Sequence, residues 1–141
     1  MIFSIKSFQL NSEKICKLLQ QLTECPILSQ IEFNTIIKNL PGNQNIFVYM
    51  DENENILGMC SIMIEQKIIH GGKCVGHIED LVVDKSARHN GVASKLLAHV
   101  ISYGKQFNCY KLLLNCTNEV MPFYIKNGFK KKTNGMAYYI L

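Results

Sequence analysis

The sequence predicts a mixed α/β domain in which helices pack against one sheet. Two observations indicate this fold class. Two apolar runs rich in isoleucine and valine are separated by the pair Gly71 and Gly72, a strong signal for an antiparallel hairpin. A strand, a helix and another strand then follow between about residues 76 and 116, which places a helix against the sheet that the hairpin begins.

The first half of the chain is predicted to contain a strand, two helices and a second strand. Residues 4–8 alternate polar and apolar side chains, which is typical of a strand. A helix begins at Ser12, whose hydroxyl can cap it, and continues with apolar residues at helical spacing. Ser29 and Glu32 form a capping-box pattern that predicts a second helix. Residues 46–50 predict a short strand.

The second half begins with the hairpin and continues with the strand-helix-strand passage. The hairpin strands are predicted at residues 56–69 and 74–83. A helix begins near Gly91, because the apolar residues that follow recur every three or four positions. Residues 111–116 predict a strand, and its continuous apolar run indicates burial on both faces.

The C-terminal part is predicted to end with a short helix and a strand. Asn118 can cap a helix over residues 119–127, and Gly128 is suited to its C-cap. Residues 136–141 predict a closing strand. Because no repeat, linker or break in composition divides the chain, residues 1–141 are predicted to form a single domain.

Composition and length narrow the classes of protein to consider. The chain has 141 residues, of which 48% are hydrophobic and 18% charged, as in folded globular proteins. No apolar run approaches the roughly 20 residues that span a bilayer, and Met1 does not open a signal peptide, so we expect a cytoplasmic protein without membrane partners. The net charge of +4 suits a small acidic ligand. The basic run Lys130 to Lys132 lacks interleaved aromatic residues, so no nucleic-acid partner is expected.

The cysteines are scattered along the chain. They form no C-x-x-C pair and have no histidine at metal-ligand spacing, so we predict buried thiols, with neither disulfides nor a metal site. The six are Cys16, Cys25, Cys60, Cys74, Cys109 and Cys116.

Two neighbouring features carry chemistry. One predicted strand holds the adjacent carboxylates Glu79 and Asp80, and placing charge in a strand costs desolvation unless the charge is used. Because side chains alternate along a strand, we expect these two to point to opposite faces. Arg88, Gly91 and Ala93 then frame a loop whose backbone N–H groups can converge at a helix N-terminus. That arrangement suits a phosphate group.

The segment Arg88-His89-Asn90-Gly91-Val92-Ala93 resembles the acetyl-CoA pyrophosphate loop of the GNAT acetyltransferase superfamily. The resemblance implies the GNAT fold, in which a central, mostly antiparallel sheet is splayed at the acetyl-CoA site and flanked by helices. It runs from about Thr23 to the C-terminus. Four further segments resemble, in the same order, the glucosamine 6-phosphate N-acetyltransferases: residues 66–70, 74–80, 109–112 and 122–129.

The resemblance also implies an activity and partners. Members of this family transfer the acetyl group of acetyl-CoA to the amine of D-glucosamine 6-phosphate, for UDP-N-acetylglucosamine synthesis, by direct attack in a ternary complex. They are homodimers whose C-terminal strands pack across the interface and help to build each other's sugar sites. For this chain we expect the same small-molecule substrates, with acetyl-CoA as co-substrate and no metal.

The functional positions of the family carry over residue by residue. Tyr124 would donate a hydrogen bond that stabilises the leaving thiolate, while Glu79 and Asp80 would position the amine, one of them as general base, directly or through a water. Backbone N–H groups of residues 81–83 would stabilise the oxyanion. The implied cofactor-binding residues are Leu81, Val82, Val83, Arg88, His89, Asn90, Gly91, Val92, Ala93, Tyr124, Ile125 and Lys126. The implied substrate-binding residues are Thr23, Lys67, Ile68, Ile69, His70, Glu79, Asp80, Asn115 and Tyr139.

Two positions depart from the family pattern. Asn115 stands where the family usually has an acidic residue, and an amide cannot act as a base. Tyr138 or Tyr139 replaces a basic residue that helps to hold the sugar phosphate. Either the affinity for the sugar phosphate is lower, or one of the lysines at 130–132 supplies that charge instead.

Three other interpretations fit parts of the pattern. The chain can be a GNAT enzyme for another amine, such as an aminoglycoside, a polyamine or a protein amine. It can also be a non-catalytic module that binds acetyl-CoA. For the two carboxylates, a purely structural role is open, in which Glu79 or Asp80 pairs with a lysine such as Lys67.

Overall fold

The structure, a computed structural model, describes residues 1–140 and contains a five-stranded sheet with its strands in chain order. The first four strands pair antiparallel, and the fifth runs parallel to the fourth. The strands are β1 Ile2–Ser4, β2 Gln44–Met50, β3 Ile56–Gln66, β4 Cys74–Val83 and β5 Cys109–Leu113.

The helices lie between and after these strands. A short 3-10 turn, Ile5–Ser7, follows β1, and a second, Lys85–Ala87, follows β4. The third helix is a single irregular turn, because His70 and Gly71 have left-handed backbone angles. The helices are α1 Ser12–Leu19, α2 Gln30–Lys38, α3 Ile69–Gly72, α4 Val92–Gln106 and α5 Met121–Lys126.

Two apolar clusters hold helices to the sheet. One unites α4 with strand residues around Ile62 and Ile78, and Leu96, Leu97 and Val100 of α4 are fully buried there. The second unites α1, α2 and a different set of strand residues. Each buried aliphatic side chain contributes about 2 kcal/mol of transfer free energy. The sheet is therefore the middle layer of the fold.

Two glycines allow β4, β5 and α4 to approach closely around Leu112. A Cβ atom at Gly76 would lie 2.3 Å from Leu112 Cδ2, and one at Gly104 would lie 2.7 Å from the same atom. No side chain fits at either position without moving Leu112. This close packing fixes β5 against the first half of β4.

The predicted fold class and several elements are confirmed. The chain forms a mixed α/β fold with a mostly antiparallel sheet, as the hairpin and the strand-helix-strand passage indicate. Ser29 and Glu32 form both hydrogen bonds of a capping box at the start of α2. Strand β4 covers the predicted residues 74–83, and α4 follows directly after Gly91.

Other boundaries were wrong. Residues 5–7 form a turn, so the first strand ends at Ser4, and Asn11 caps α1 in place of Ser12. Strand β5 begins at residue 109, and each of its residues is half-buried, because one edge of the strand borders a cleft.

The last two elements also differ from the prediction. Helix α5 begins at Met121 without a side-chain cap, so Asn118 does not cap it. Residues 136–140 are exposed and form no strand, and Leu141 lies outside the described residues. No helix in the described part of the chain has both the length and the apolar content needed to cross a membrane.

Candidate active site

Strand β4 is paired with β5 along only part of its length. Residues 74–77 of β4 pair in parallel with β5, but the register ends at His77 opposite Leu113. Residues 78–83 therefore present an edge with no strand beside it in the described chain. A cleft of about 600 Å³ opens at this point, between β4, β5, α5 and the segment after α5.

A β-bulge lies at the start of this open edge. Met59 pairs with Val82 and Ser61 pairs with Glu79, so two residues of β4 face one residue of β3. Asp80, within the bulge, has a φ of 52°. Bulges interrupt the ladder and bend a strand, which suits a strand that must leave its neighbour.

The bulge changes the expected arrangement of the two carboxylates. Glu79 and Asp80 are both exposed, and simple alternation does not describe them because the extra residue breaks the two-residue period. Glu79 lines the cleft, whereas Asp80 does not. Neither carboxylate forms an ion pair within residues 1–140, and Lys67 pairs with Glu65 instead. The structural pairing with Lys67 was therefore wrong.

The loop after β4 is anchored at its base. The side chain of Asp84 accepts hydrogen bonds from the backbone N–H and the hydroxyl of Ser86 and from the amide of Gln21. The Ser86 hydroxyl, and then the Gln21 amide, hold the pKa of Asp84 below its usual value. Ala87 is buried, so the loop that follows starts from a fixed point.

The start of α4 is open to a ligand. Gly91 caps the helix with a φ of 76° and supplies no side-chain hydrogen bond, and His89 is also left-handed at 67°. The first N–H groups of a helix have no partner within the helix, and the positive end of its dipole lies there. The side chain of Val92 is buried, so the backbone of this turn remains available to a phosphate group.

The other residues of the loop surround this helix start. Arg88 is exposed, and its Nε donates a long hydrogen bond of 3.4 Å to the carbonyl of Val83. Asn90 is exposed and Ala93 is half-buried. The predicted segments 81–83 and 88–93 thus follow one another from the open edge to the start of α4, with the anchored residues 84–87 between them.

Tyr124 reaches the cleft from α5. Its ring is half-buried and packs edge-on against Phe123 and Phe129, with ring centroids 5.1 and 5.9 Å away. Burial, followed by the nearby thiols of Cys60 and Cys116, raises the pKa of Tyr124 to about 12. The phenol is therefore protonated at neutral pH and can donate a hydrogen bond into the cleft. Ile125 lines the same cleft, whereas Lys126 does not.

Two cysteines lie near the site. Cys60 is fully buried beneath the bulge, and burial, with the charges of Asp80 and Glu79, raises the pKa of its thiol to about 12. A thiol with such a pKa is a poor nucleophile at neutral pH. Cys116 is exposed and lines the cleft. The described residues contain no group of three or more histidine, cysteine or acidic side chains placed to hold a metal ion.

The predicted acceptor residues are not all brought together. Asn115 lines the main cleft with Glu79. Thr23 is exposed in the loop after α1, and Gln21 ties that loop to Lys85 by a hydrogen bond of 2.9 Å. The segment 67–70 lies on the β3–β4 hairpin and does not line the cleft, and Tyr139 is 85% exposed in the C-terminal segment.

Sequence reasoning did not single out several residues that line the cleft. His77, the last residue of β4 that pairs with β5, lines the cleft. Cys116 and the lysines at 130–132 line it as well. Side-chain alternation places His77 on the same face as Glu79, and that period could have identified it. The lysine run was weighed as a nucleic-acid patch and as a source of phosphate charge, but not as part of a cleft.

The open sheet edge, the uncapped helix start and the cleft between them suit an extended, phosphate-bearing ligand along β4. The chain belongs to the acetyltransferase (GNAT) family, whose family model matches residues 13–129. Members of this family use acetyl-CoA.

The names of individual relatives are more specific than the description of the family. A probable glucosamine 6-phosphate N-acetyltransferase 2 from Oryza sativa subsp. japonica is 34% identical over 128 residues, covering 86% of this chain and 77% of the relative. The glucosamine 6-phosphate N-acetyltransferase of Trypanosoma brucei brucei is 36% identical, with coverage of 81% and 79%. A crystal structure of the Arabidopsis thaliana glucosamine-6-phosphate N-acetyltransferase superposes with a TM-score of 0.88 at 28% identity, covering 99% of both chains.

Proposed function

We propose that this chain transfers the acetyl group of acetyl-CoA to the amine of D-glucosamine 6-phosphate, which supplies UDP-N-acetylglucosamine synthesis. The observation that carries the proposal is the open edge of β4, which leads at one end to a cleft with Glu79 and Tyr124 and at the other to the start of α4. Curated relatives that share more than a third of their aligned residues with the chain support the choice of acceptor.

In the proposed complex, acetyl-CoA lies between β4 and β5. Its pantetheine arm pairs with the backbone of residues 81–83, in the manner of an added strand. Its pyrophosphate accepts hydrogen bonds from the backbone of residues 88–93, and Arg88 adds a positive charge. Ile125 and Lys126 contact the cofactor from α5.

In the proposed reaction, Glu79 or Asp80, directly or through a water molecule, removes a proton from the acceptor ammonium. The free amine attacks the thioester carbonyl, and backbone N–H groups of residues 81–83 stabilise the oxyanion. As the intermediate collapses, the C–S bond breaks, a hydrogen bond from Tyr124 stabilises the departing thiolate, and the thiolate takes up a proton from solvent while Tyr124 keeps its own. The second amine proton leaves to solvent, and the products are the amide and CoA thiol.

We propose direct transfer without an acetyl-enzyme and without a metal. The high pKa of the Cys60 thiol supports this mechanism, because the thiolate that would accept an acetyl group is scarce. Tyr124 and the backbone donors are neutral and need no metal to act.

We propose a homodimer in which each C-terminal segment packs against the partner and contributes to its sugar site. Met136, Tyr138, Tyr139 and Ile140 are each more than four-fifths exposed, and apolar side chains in such a row favour burial against another surface. The predicted acceptor residues lie in separate parts of one chain, and a segment from the partner would help to complete the sugar site. Their separation therefore also supports a homodimer. We further propose that residues 1–141 act as a single domain, in the cytoplasm, without nucleic-acid or membrane partners.

The test is release of CoA thiol from acetyl-CoA with glucosamine 6-phosphate, run beside glucosamine and glucosamine 1-phosphate. We expect turnover that depends on the 6-phosphate. Thiol release only with other amines would leave the family and cofactor in place but reject the acceptor. Cofactor binding without thiol release for any amine would indicate a non-catalytic module.

A further inference from the structure

The hairpin between β3 and β4 is held by a hydrogen-bonded network that the proposed chemical steps do not use. Glu65 on β3 accepts a hydrogen bond from Lys67 Nζ at 2.5 Å and lies 2.7 Å from His77 Nε2 on β4. Met63 pairs with His77, and Glu65 lies two residues along from Met63, so Glu65 and His77 share a face of the sheet. The carboxylate of Glu65 therefore links β3 to β4 through His77 and also holds the ammonium of Lys67.

This network restrains a flexible cation while leaving it accessible. A lysine side chain has four rotatable bonds, and fixing it costs conformational entropy whenever it binds a ligand. The Lys67 side chain is 32% exposed, so its ammonium can still meet an anion from solvent. Lys67, and then His77, hold the pKa of Glu65 below its usual value, which keeps the carboxylate charged.

A second contact restrains the other end of the same segment. The backbone of His70 is left-handed, with a φ of 53°, and its ring stacks on Tyr110 of β5 with centroids 4.1 Å apart and planes 32° apart. Tyr110 also carries the ammonium of Lys111 5.3 Å from its ring centroid. The ring of Tyr110 therefore determines where the imidazole of His70 lies.

We propose that Glu65 and Tyr110 are positioning residues for the phosphate of the acceptor. Glu65 fixes the ammonium of Lys67, and Tyr110 fixes the imidazole of His70, so both donors are arranged before the phosphate arrives. Neither positioning residue touches the substrate. This inference rests on the proposed function, because it assigns the segment 67–70 to the sugar phosphate.

The charge of Glu65 opposes an anion, but orientation outweighs this repulsion. The carboxylate is already matched by Lys67 and held by His77, and its side chain is 40% exposed, so solvent and salt screen its field. Without Glu65, the Lys67 side chain would lose conformational entropy on binding the phosphate, and solvent and salt do not reduce that cost. Preorganised donors bind more tightly because the ordering cost is met during folding.

The experiment compares Glu65→Gln and Tyr110→Leu with matched controls. Glu13→Gln removes an ion pair of similar length, 2.6 Å to Lys17, on the surface of α1, and Tyr110→Phe keeps the ring. We expect KM for glucosamine 6-phosphate to rise about 5- to 10-fold in each test variant, with kcat within about 2-fold and KM for acetyl-CoA unchanged. The residual turnover with a high concentration of glucosamine, which lacks the phosphate, should be unchanged.

Equal losses with both acceptors would indicate a general structural role and overturn the inference, as would an unchanged or lower KM for glucosamine 6-phosphate. If the unmodified chain does not acetylate glucosamine 6-phosphate, the proposed function fails separately. Calorimetric titration with glucose 6-phosphate and glucose then tests the inference without any acetyl transfer. Weaker binding of glucose 6-phosphate alone in Glu65→Gln would support it, and unchanged binding would overturn it.

Discussion

The proposed site has a cofactor side and an acceptor side, and a single chain supplies a more complete cofactor side than acceptor side. The open edge of β4, the loop after it and the start of α4 are consecutive in sequence and anchored by Asp84 and Ala87. The predicted acceptor residues lie instead in a loop after α1, on the β3–β4 hairpin, in the main cleft and in an exposed C-terminal segment. An extended ligand arm can be held by consecutive backbone groups of one segment of the chain. A compact sugar phosphate needs hydrogen-bond donors from several directions, and therefore from several segments.

The largest expected effect tests the point where the two sides meet. Tyr124→Phe removes the phenol proton and keeps the packing against Phe123 and Phe129. We expect kcat to fall about 100-fold, because one well-placed donor to a developing anion has an effect of this size. KM for acetyl-CoA should stay within about 2-fold. The measurement is steady-state thiol release, and an unchanged kcat would remove Tyr124 from the reaction.

The next prediction separates the acceptor side from the cofactor side. Removal of residues 136–141 deletes the exposed apolar segment. We expect light scattering to give a monomer mass and kcat/KM for glucosamine 6-phosphate to fall at least about 10-fold. Calorimetric affinity for acetyl-CoA should be retained within about 2-fold, because its candidate contacts lie elsewhere. A dimeric truncated chain with full activity would show that the acceptor side is complete without this segment.

A substitution at Gly91 should affect the cofactor side alone. Gly91 has a φ of 76°, and a β-branched valine there is strained although no atom lies within 4 Å of the added Cβ. We expect KM for acetyl-CoA to rise about 10-fold in Gly91→Val, with KM for glucosamine 6-phosphate unchanged. Gly42→Val is the control, since Gly42 also has open space around its Cβ but no positive φ. Equal effects of the two variants would contradict the prediction.

The pH profile gives a smaller effect that bears on Tyr124. Because burial raises the pKa of Tyr124 to about 12, its proton is retained through the alkaline range. Neutral tyrosine is the form that the proposed reaction needs, so raising the pH from 8 to about 10 should cause no loss of kcat through this residue. A fall in kcat near pH 10 that disappears in Tyr124→Phe would contradict the raised pKa.

The smallest expected effect concerns Cys116. This thiol lines the cleft, but direct transfer does not require it. We expect Cys116→Ser to keep kcat within about 2-fold, and mass spectrometry after mixing with acetyl-CoA should detect no acetylated cysteine. An acetyl-cysteine that then transfers its acetyl group to the sugar would replace direct attack with a two-step mechanism.

The sequence predicted local features better than those that depend on pairing. The capping box at Ser29 and the glycine before α4 follow from hydrogen bonds within a few residues, and both are present. The bulge at Asp80 and the end of pairing at His77 depend on register with β3 and β5, which no local pattern specifies. Residues 136–140 have the composition of a strand, but a strand also needs a neighbour, and within one protomer it has none among the described residues.

The splayed edge of β4 also has a consequence for solubility. An unpaired strand edge is a template for other strands, and proteins usually cover or interrupt such edges to avoid aggregation. Here the bulge interrupts one end, and in the proposed complex the pantetheine arm covers the rest. A preparation saturated with acetyl-CoA should therefore resist heat-induced precipitation better than the free protein, so cofactor supply would influence how long the protein persists as well as how fast it works.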